Sequence, residues 1–273
     1  NAMTSFCGKI PDPLSEQSLA RLQDSILGDA TTGFNKGLRR SPVFVGHSER
    51  FEPVIDYIAP HHEQTSAMLD GLRAFAERTN GANSILRAAA ISFGFVYIHP
   101  MADGNGRISR FLINDVLRRD GVLPAPIILP VSAAISANLA ARAKYDEVLE
   151  KVSAPLMARF GKACSFNREH LQTYADGVKS NLVFNQWDEA APAWRYLDLS
   201  DHAHYMGGVI ERSIHQGMRD EAQFLRRFDR AKAALQDTIE GPGEDLDRII
   251  RSIAEHQTAT KTIKKLYPAL FAT

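Results

Sequence analysis

From Ile85 to Ile98 almost every residue is apolar, so a helix over this stretch is hydrophobic on all its faces. Such a helix has to be wrapped by others, and Ala88, Ala89 and Ala90 let a neighbour come close. The chain around it therefore reads as a helical bundle. Met68, Leu69, Leu72, Phe75 and Ala76 give one apolar face to a helix over 63–78, and Gly81-Ala-Asn83 separates it from the central segment. Phe111, Leu112, Val116 and Leu117 mark a helix that starts near Asn105 and ends at Gly121. Upstream, Leu14, Leu19, Leu22, Ile26 and Leu27 predict a first helix over 15–27 with Ser15 as its N-cap. Residues 28–40 read as a loop. Val43-Phe-Val45 and Val54 to Ile58 then read as a short hairpin.

Beyond Pro124-Ala-Pro126 the spacing predicts helices over 132–151, 154–163, 167–181, 200–217 and 219–239. In the first of these Leu139, Tyr145, Val148 and Leu149 are the expected buried positions. Asn185 to Asp198, with Trp187, Pro192 and Trp194, reads as a structured connection, and Glu240-Gly-Pro-Gly-Glu244 as a linker to a small helical tail. The expected class is all-α with one small hairpin and a C-terminal helical extension. Its parts are an N-terminal helix and loop over 3–40, a core over 41–165, an extension over 166–240 and a tail over 245–273.

Composition narrows the partners. With 273 residues and 44% hydrophobic content the chain buries a full core, and 32 basic against 32 acidic residues exert no bulk pull toward nucleic acid or an anionic membrane. No run approaches the ~20 apolar residues of a membrane span and no signal pattern opens the chain, so cytoplasmic residence is the expectation. Asn1-Ala2 before Met3 reads as a tag remnant, with Met3 as the expected native start. Cys7 and Cys164 form no C-x-x-C and read as two isolated buried thiols.

The chemistry concentrates where the apolar helix ends, in His99-Pro-Met-Ala-Asp-Gly-Asn-Gly-Arg-Ile-Ser-Arg110. A glycine-rich turn opening a helix binds anions: Gly104 and Gly106 permit positive φ, N–H groups converge, and the helix adds its positive dipole end. Arg107 and Arg110, three apart, can grip phosphates, and Asn105 offers an amide donor. A triphosphate needs a divalent ion, and Asp103 is the loop's only carboxylate for Mg²⁺. His99, with an unperturbed pKa of ~6.5, can take a proton from an attacking hydroxyl. Displacement at phosphorus is the chemistry this set suits.

The stretch resembles the Fic signature H-P-F-x-D/E-G-N-G-R-x-x-R and departs from it only at Met101, which replaces an aromatic. Methionine fills an apolar socket of similar size, so the fold is expected to survive. The resemblance implies protein adenylyltransfer: His99 as general base, Asp103 as magnesium ligand, Gly104-Asn105-Gly106 with Arg107 as the α/β-phosphate cradle, and Arg110 at the γ-phosphate. ATP is then the co-substrate and Mg²⁺ the cofactor. Asn114 falls where the family often has asparagine. Arg40-Ser-Pro-Val43-Phe-Val45-Gly46 resembles the family's flap, whose edge would clamp a target's main chain by strand addition. Tyr145, in Arg142-Ala-Lys-Tyr145-Asp-Glu-Val-Leu149, resembles the wall of the adenine pocket.

Other readings fare less well. Asp103-x-Asn105 begins like a calcium loop, but Arg107, Ile108 and Asn114 stand at positions that need a ligand, a glycine and a glutamate. Gly104-x-Gly106 lacks the third Rossmann glycine, and no P-loop occurs. His61-His62-Glu63 and Asp201-His202-Ala-His204 lack the spacing of a zinc site. The tail around Leu246, Ile249, Ile250 and Ile253 has a helix-turn-helix look but no basic recognition face, so a packing role is favoured over DNA binding. Three rival functions stay open: removal of AMP from a modified protein, transfer of another nucleotide, and a non-catalytic nucleotide- or partner-binding regulator.

Fic proteins are often restrained by S/T-x-x-x-E-G/N, whose glutamate pairs with the second motif arginine. No intact copy occurs: Ser165 to His170 and Ser48 to Pro53 miss the last residue, and Ser66 to Gly71 has Asp70 for the glutamate. Restraint is therefore expected from a partner, from self-association, from a missing N-terminal segment, or not at all.

Overall fold

The computed structural model describes residues 2–28, 36–50, 52–236, 243–256 and 258–267. Its helices are α1 (Ala2–Phe6), α2 (Glu16–Leu27), α3 (Thr65–Arg78), α4 (Ser84–Ile98), α5 (Asn105–Arg119), α6 (Val131–Ile135), α7 (Leu139–Phe160), α8 (Trp187–Arg195), α9 (Ser200–Gln236), α10 (Gly243–His256) and α11 (Lys261–Leu266). Its strands are β1 (Phe44–Glu49), β2 (Glu52–Ile58), β3 (Ser165–Phe166), β4 (Gln172–Thr173), β5 (Lys179–Ser180) and β6 (Leu182–Val183). Contacts divide the chain into two units, residues 1–213 and 214–273.

In the first unit α4 is the central element that its composition demands. Ala88, Ala89, Ile91, Phe93, Phe95, Tyr97 and Ile98 are buried, and Asn83 caps the helix by accepting from the N–H groups of Ile85 and Leu86. Its one arginine has to be buried with it. Arg87 pairs through Nε with Asp120 at 2.8 Å and donates through Nη1 to the Ala76 carbonyl and the Thr79 hydroxyl, joining α3, α4 and the end of α5. Helix α2 starts where expected, with Ser15 Oγ accepting from Ser18 N. Buried Asp115 on α5 pairs with Arg119 and takes the Gly8 N–H, which fastens the N-terminal segment to the bundle.

The hairpin forms as β1 against β2, antiparallel, with a bulge between Val45 and Gly46. Gly46 is there by necessity, since a Cβ on it would lie 2.0 Å from the Val54 carbonyl oxygen.

Several expectations are corrected. The helix expected over 167–181 is instead a pair of two-residue ladders, β3 with β6 and β4 with β5. Gly177 at φ 83° turns the chain between β4 and β5, and the Asp176 carboxylate accepts from Val178 N. The helices expected over 132–151 and 154–163 are redistributed into short α6 and long α7, which carries Pro155 inside it. Asn138 caps α7, so Leu139 becomes its first residue and is 87% exposed rather than buried. The connection expected around Trp187 is helix α8, and the pair expected over 200–239 is the single helix α9. Cys7 is buried, whereas Cys164 is only half-buried.

In the second unit Ile249, Ile250 and Ile263 are buried, Lys232 pairs with Asp247 at 2.7 Å, and Thr260 caps α11. Of the linker expected at 240–244, Glu240, Gly241 and Pro242 lie outside the described residues, and Gly243 opens α10. Among the described residues no helix is long and apolar enough to cross a membrane.

Candidate active site

His99 is the residue that stops α4. It sits at φ 49°, ψ 55°, the left-handed conformation of a helix C-cap, and its N–H donates to the Phe95 carbonyl. For a residue with a Cβ this conformation has to be held from outside. The ring is held by Nδ1, 3.0 Å from the Val96 carbonyl oxygen. A carbonyl only accepts, so Nδ1 carries the proton and Nε2 keeps its lone pair. Burial pushes the imidazole pKa down to about 4, the Val96 contact and Asp103 opposing the shift and Arg39 adding to it. A neutral ring with a free Nε2 is the form a general base requires.

The loop that follows is built from inside. Asn105 Oδ1 accepts the Met101 N–H at 3.0 Å and Nδ2 donates to the Met101 carbonyl at 2.8 Å. The Asn105 side chain is thus buried and turned into the loop, with Nδ2 and Oδ1 each engaged by the Met101 backbone. Met101 is fully buried in the core, and its backbone bridges to Leu38. Gly104 has φ 93°, and a Cβ there would press on Leu27 at 3.4 Å. Gly106 does not need a positive φ. It lies within α5, and its missing Cβ leaves room for Arg110 Nη1, which would be 3.3 Å from it. As the first residues of α5, Asn105 and Gly106 have N–H groups with no intrahelical acceptor, the usual anion-binding feature of a helix start.

Asp103 is exposed, and its Oδ1 accepts the Gly104 N–H at 2.6 Å. Arg107 is exposed. Arg110 donates through Nε to Ser132 Oγ at 2.9 Å, its charge lies close to the Tyr145 hydroxyl, and no carboxylate pairs with it among the described residues. Tyr145 is thus brought to Arg110, where burial pushes its phenol pKa up. Among the near-copies of the inhibitory motif, Asp70 pairs with Arg73, Glu169 is exposed in the 168–170 turn, and Glu52 is in β2. Val45 is 42% exposed beside the bulge, and the edge of β1 away from β2 has no partner strand among the described residues.

Sequence reasoning missed four residues that shape the site. Buried Gln23 donates to the Asp103 carbonyl and accepts the Gly37 N–H, both at 2.8 Å. Arg39, 1% exposed, donates to the carbonyls of His99, Ser41 and Pro60. Ser132 meets Arg110, and Asn114, which the sequence already singles out, fixes the segment leading to it by pairing twice with the backbone of Leu129. Asp176 takes the Arg40 N–H and the Ser41 hydroxyl, each at 2.7 Å. Only the Asp-Gly pair at 176–177 carries a local signal, that of a turn.

Comparison with known proteins agrees with the motif. Residues 13–117 match the Fic/DOC family. Over 188 residues the chain is 34% identical to Protein adenylyltransferase fic-1 of Caenorhabditis elegans, covering 67% of this chain and 34% of that protein. Over 116 residues it is 28% identical to Protein adenylyltransferase Fic of Drosophila mojavensis, covering 42% of this chain and 21% of that one. The chain thus spans 34% or less of the length of these curated relatives. Among solved structures, a Fic family protein from Desulfovibrio desulfuricans G20 superposes with a TM-score of 0.49 at 18% identity, covering 81% of this chain and 50% of that one. From the buried core beneath His99 to the helix that carries Arg110, residues 13–117 form a domain of the Fic/DOC family.

Proposed function

We propose that this chain transfers AMP from ATP to a Ser, Thr or Tyr hydroxyl of a protein and releases pyrophosphate. The observation that carries the reading is the state of His99: Nδ1 is engaged with Val96, Nε2 is left to accept, and the ring is neutral down to a pKa of about 4. His99 then takes the hydroxyl proton as the oxygen attacks the α-phosphorus and pyrophosphate departs in line. The N–H groups at the start of α5 and the side chains of Arg107 and Arg110 receive the phosphate charge. Tyr145, held beside Arg110, is suited to line the adenine side. Val45 and Gly46 lie on the hairpin whose free β1 edge can pair with an extended target segment. The relatives named protein adenylyltransferase support the same reading.

Magnesium fits the donor set: Asp103 is an exposed carboxylate already oriented by Gly104 N–H, and Mg²⁺ commonly takes one carboxylate alongside phosphate oxygens and waters. When bound, the ion would supply charge neutralisation for the phosphates. Arg110 pairs with no carboxylate among the described residues, which leaves restraint by a protein partner, by self-association, by a missing N-terminal segment, or none, as the alternatives this reading carries.

The test is incubation with Mg-ATP labelled at the α-phosphate, read by label and by intact mass. Wild type is expected to gain AMP, and His99→Ala to keep its fold and lose the gain. Undiminished labelling of His99→Ala removes His99 from the mechanism. Loss of AMP from a pre-modified protein assigns the reverse reaction instead, and no change in either direction leaves a binding module.

A further inference from the structure

We propose that Arg39 is the positioning residue for His99, and that Asp176 locks the segment carrying Arg39 in place. The inference rests on the reading of His99 as the base. Helix α4 ends at His99 in a left-handed conformation, and the His99 carbonyl takes a hydrogen bond from Arg39 Nε at 2.7 Å. The other two arms of the guanidinium reach Ser41 O at 2.9 Å and Pro60 O at 2.5 Å. One planar group thus ties the end of α4 to the residues entering β1 and leaving β2. The Arg39 N–H completes the clamp by donating to the Pro100 carbonyl at 2.9 Å.

The ring and the backbone of His99 are therefore fixed separately, Nδ1 by Val96 and the carbonyl by Arg39. Among the described residues Arg39 has no carboxylate in hydrogen-bond contact, so its donors go to carbonyls, and burial lowers its pKa to about 10. Lysine cannot copy this: an ammonium is a point donor without the planar fork that spans three carbonyls. Arg39 touches none of the loop donors from Asp103 to Arg110, so its part is to aim His99 and not to bind phosphate.

Asp176 closes the arrangement from outside the family-matched stretch of 13–117. It is buried, and one oxygen accepts both Arg40 N and Ser41 Oγ, the residues next to Arg39. The turn between β4 and β5 is thereby a brace for the entry to the hairpin, coupled to His99 through two residues of backbone.

The experiment compares Arg39→Lys, Asp176→Asn and the double variant with wild type in the full chain. It measures kcat and KM for ATP, corrected for folded fraction by urea titration, together with the ¹⁵N resonances of the His99 ring. Arg39→Lys is expected to lower kcat about 30-fold while KM for ATP stays within about twofold, as for a misaimed catalytic group. Asp176→Asn retains an acceptor and is expected to lower kcat about 3- to 10-fold, the double variant being no worse than Arg39→Lys because both act on one path. The His99 ring signals are expected to shift in both single variants. A folded Arg39→Lys with wild-type kcat and unchanged His99 ring signals overturns the proposal, and so does a rise in KM that matches the fall in kcat. A wild-type chain that transfers no AMP defeats the functional reading alone, since the ring signals still report whether Arg39 positions His99.

Discussion

Asn105 holds Met101 from both sides, its Oδ1 3.0 Å from the Met101 N and its Nδ2 2.8 Å from the Met101 O, so the loop between them is closed by one side chain. Asparagine is the short residue that offers an acceptor and a donor in one plane. Asn105→Ala leaves two buried backbone groups without partners, each worth about 1–3 kcal/mol. Urea denaturation is expected to show a loss of about 2–4 kcal/mol. A variant as stable as wild type would mean that water replaces the amide and that the loop is not closed from inside.

This residue also marks the limit of what the sequence reveals. Glycine-rich spacing exposes a phosphate loop because it reflects local backbone demands, and the left-handed turn at Gly104 is such a demand. Whether Asn105 faces a ligand or its own loop depends on burial, which spacing alone does not encode. The central helix was legible because its apolar residues leave no exposed face to hide, and Ser15 because a cap acts within one turn. Arg39 was not legible, since an arginine spent on three carbonyls looks in sequence like any surface cation. The ladders over 165–183 are two residues each, too short for an alternating pattern, and their anchor Asp176 works across 136 positions of chain to reach Arg40.

The depressed pKa of His99 makes stability depend on acid. An unfolded histidine titrates at ~6.5, whereas folded His99 titrates at about 4. The folded value is the lower one, so the unfolded chain takes up the proton first. The stabilising share is complete above the unfolded value and is lost as pH falls toward the folded one. Wild type is expected to lose on the order of 2 kcal/mol between pH ~7 and ~4.5 that His99→Gln does not lose. Urea titrations of both chains across this range decide it, and parallel curves would contradict a desolvated ring. For the same reason kcat/KM is expected to hold steady through pH ~6.5 and to fall only in stronger acid.

Gly46 admits no side chain, because a Cβ there would stand 2.0 Å from the Val54 carbonyl oxygen. Gly46→Ala must open the bulge and move the exposed edge of β1, while the loop from Asp103 to Arg110 is made by other elements. Labelling of a protein target is expected to drop about tenfold or more, as for a misplaced substrate. ATP binding measured by calorimetry is expected to stay the same. Equal labelling by Gly46→Ala and wild type would separate the hairpin from target binding.

Arg110 reaches Ser132 Oγ at 2.9 Å and meets no acid among the described residues, so a carboxylate placed at position 132 falls within its reach. Ser132 lies in the first turn of α6, where a negative side chain also faces the favourable end of the helix dipole. Ser132→Glu is expected to pair with Arg110 and draw it away from the phosphate contact proposed for it. Ser132→Gln has the same length without the charge and serves as the comparison. Transfer from labelled ATP is expected to be about 3- to 10-fold slower in the glutamate variant than in the glutamine one, the range of a partly exposed charge-assisted pair. Raising the salt concentration should narrow that gap, since it screens the pair. If the two variants transfer AMP at the same rate at low salt, Arg110 is not the residue through which an acidic group restrains this site.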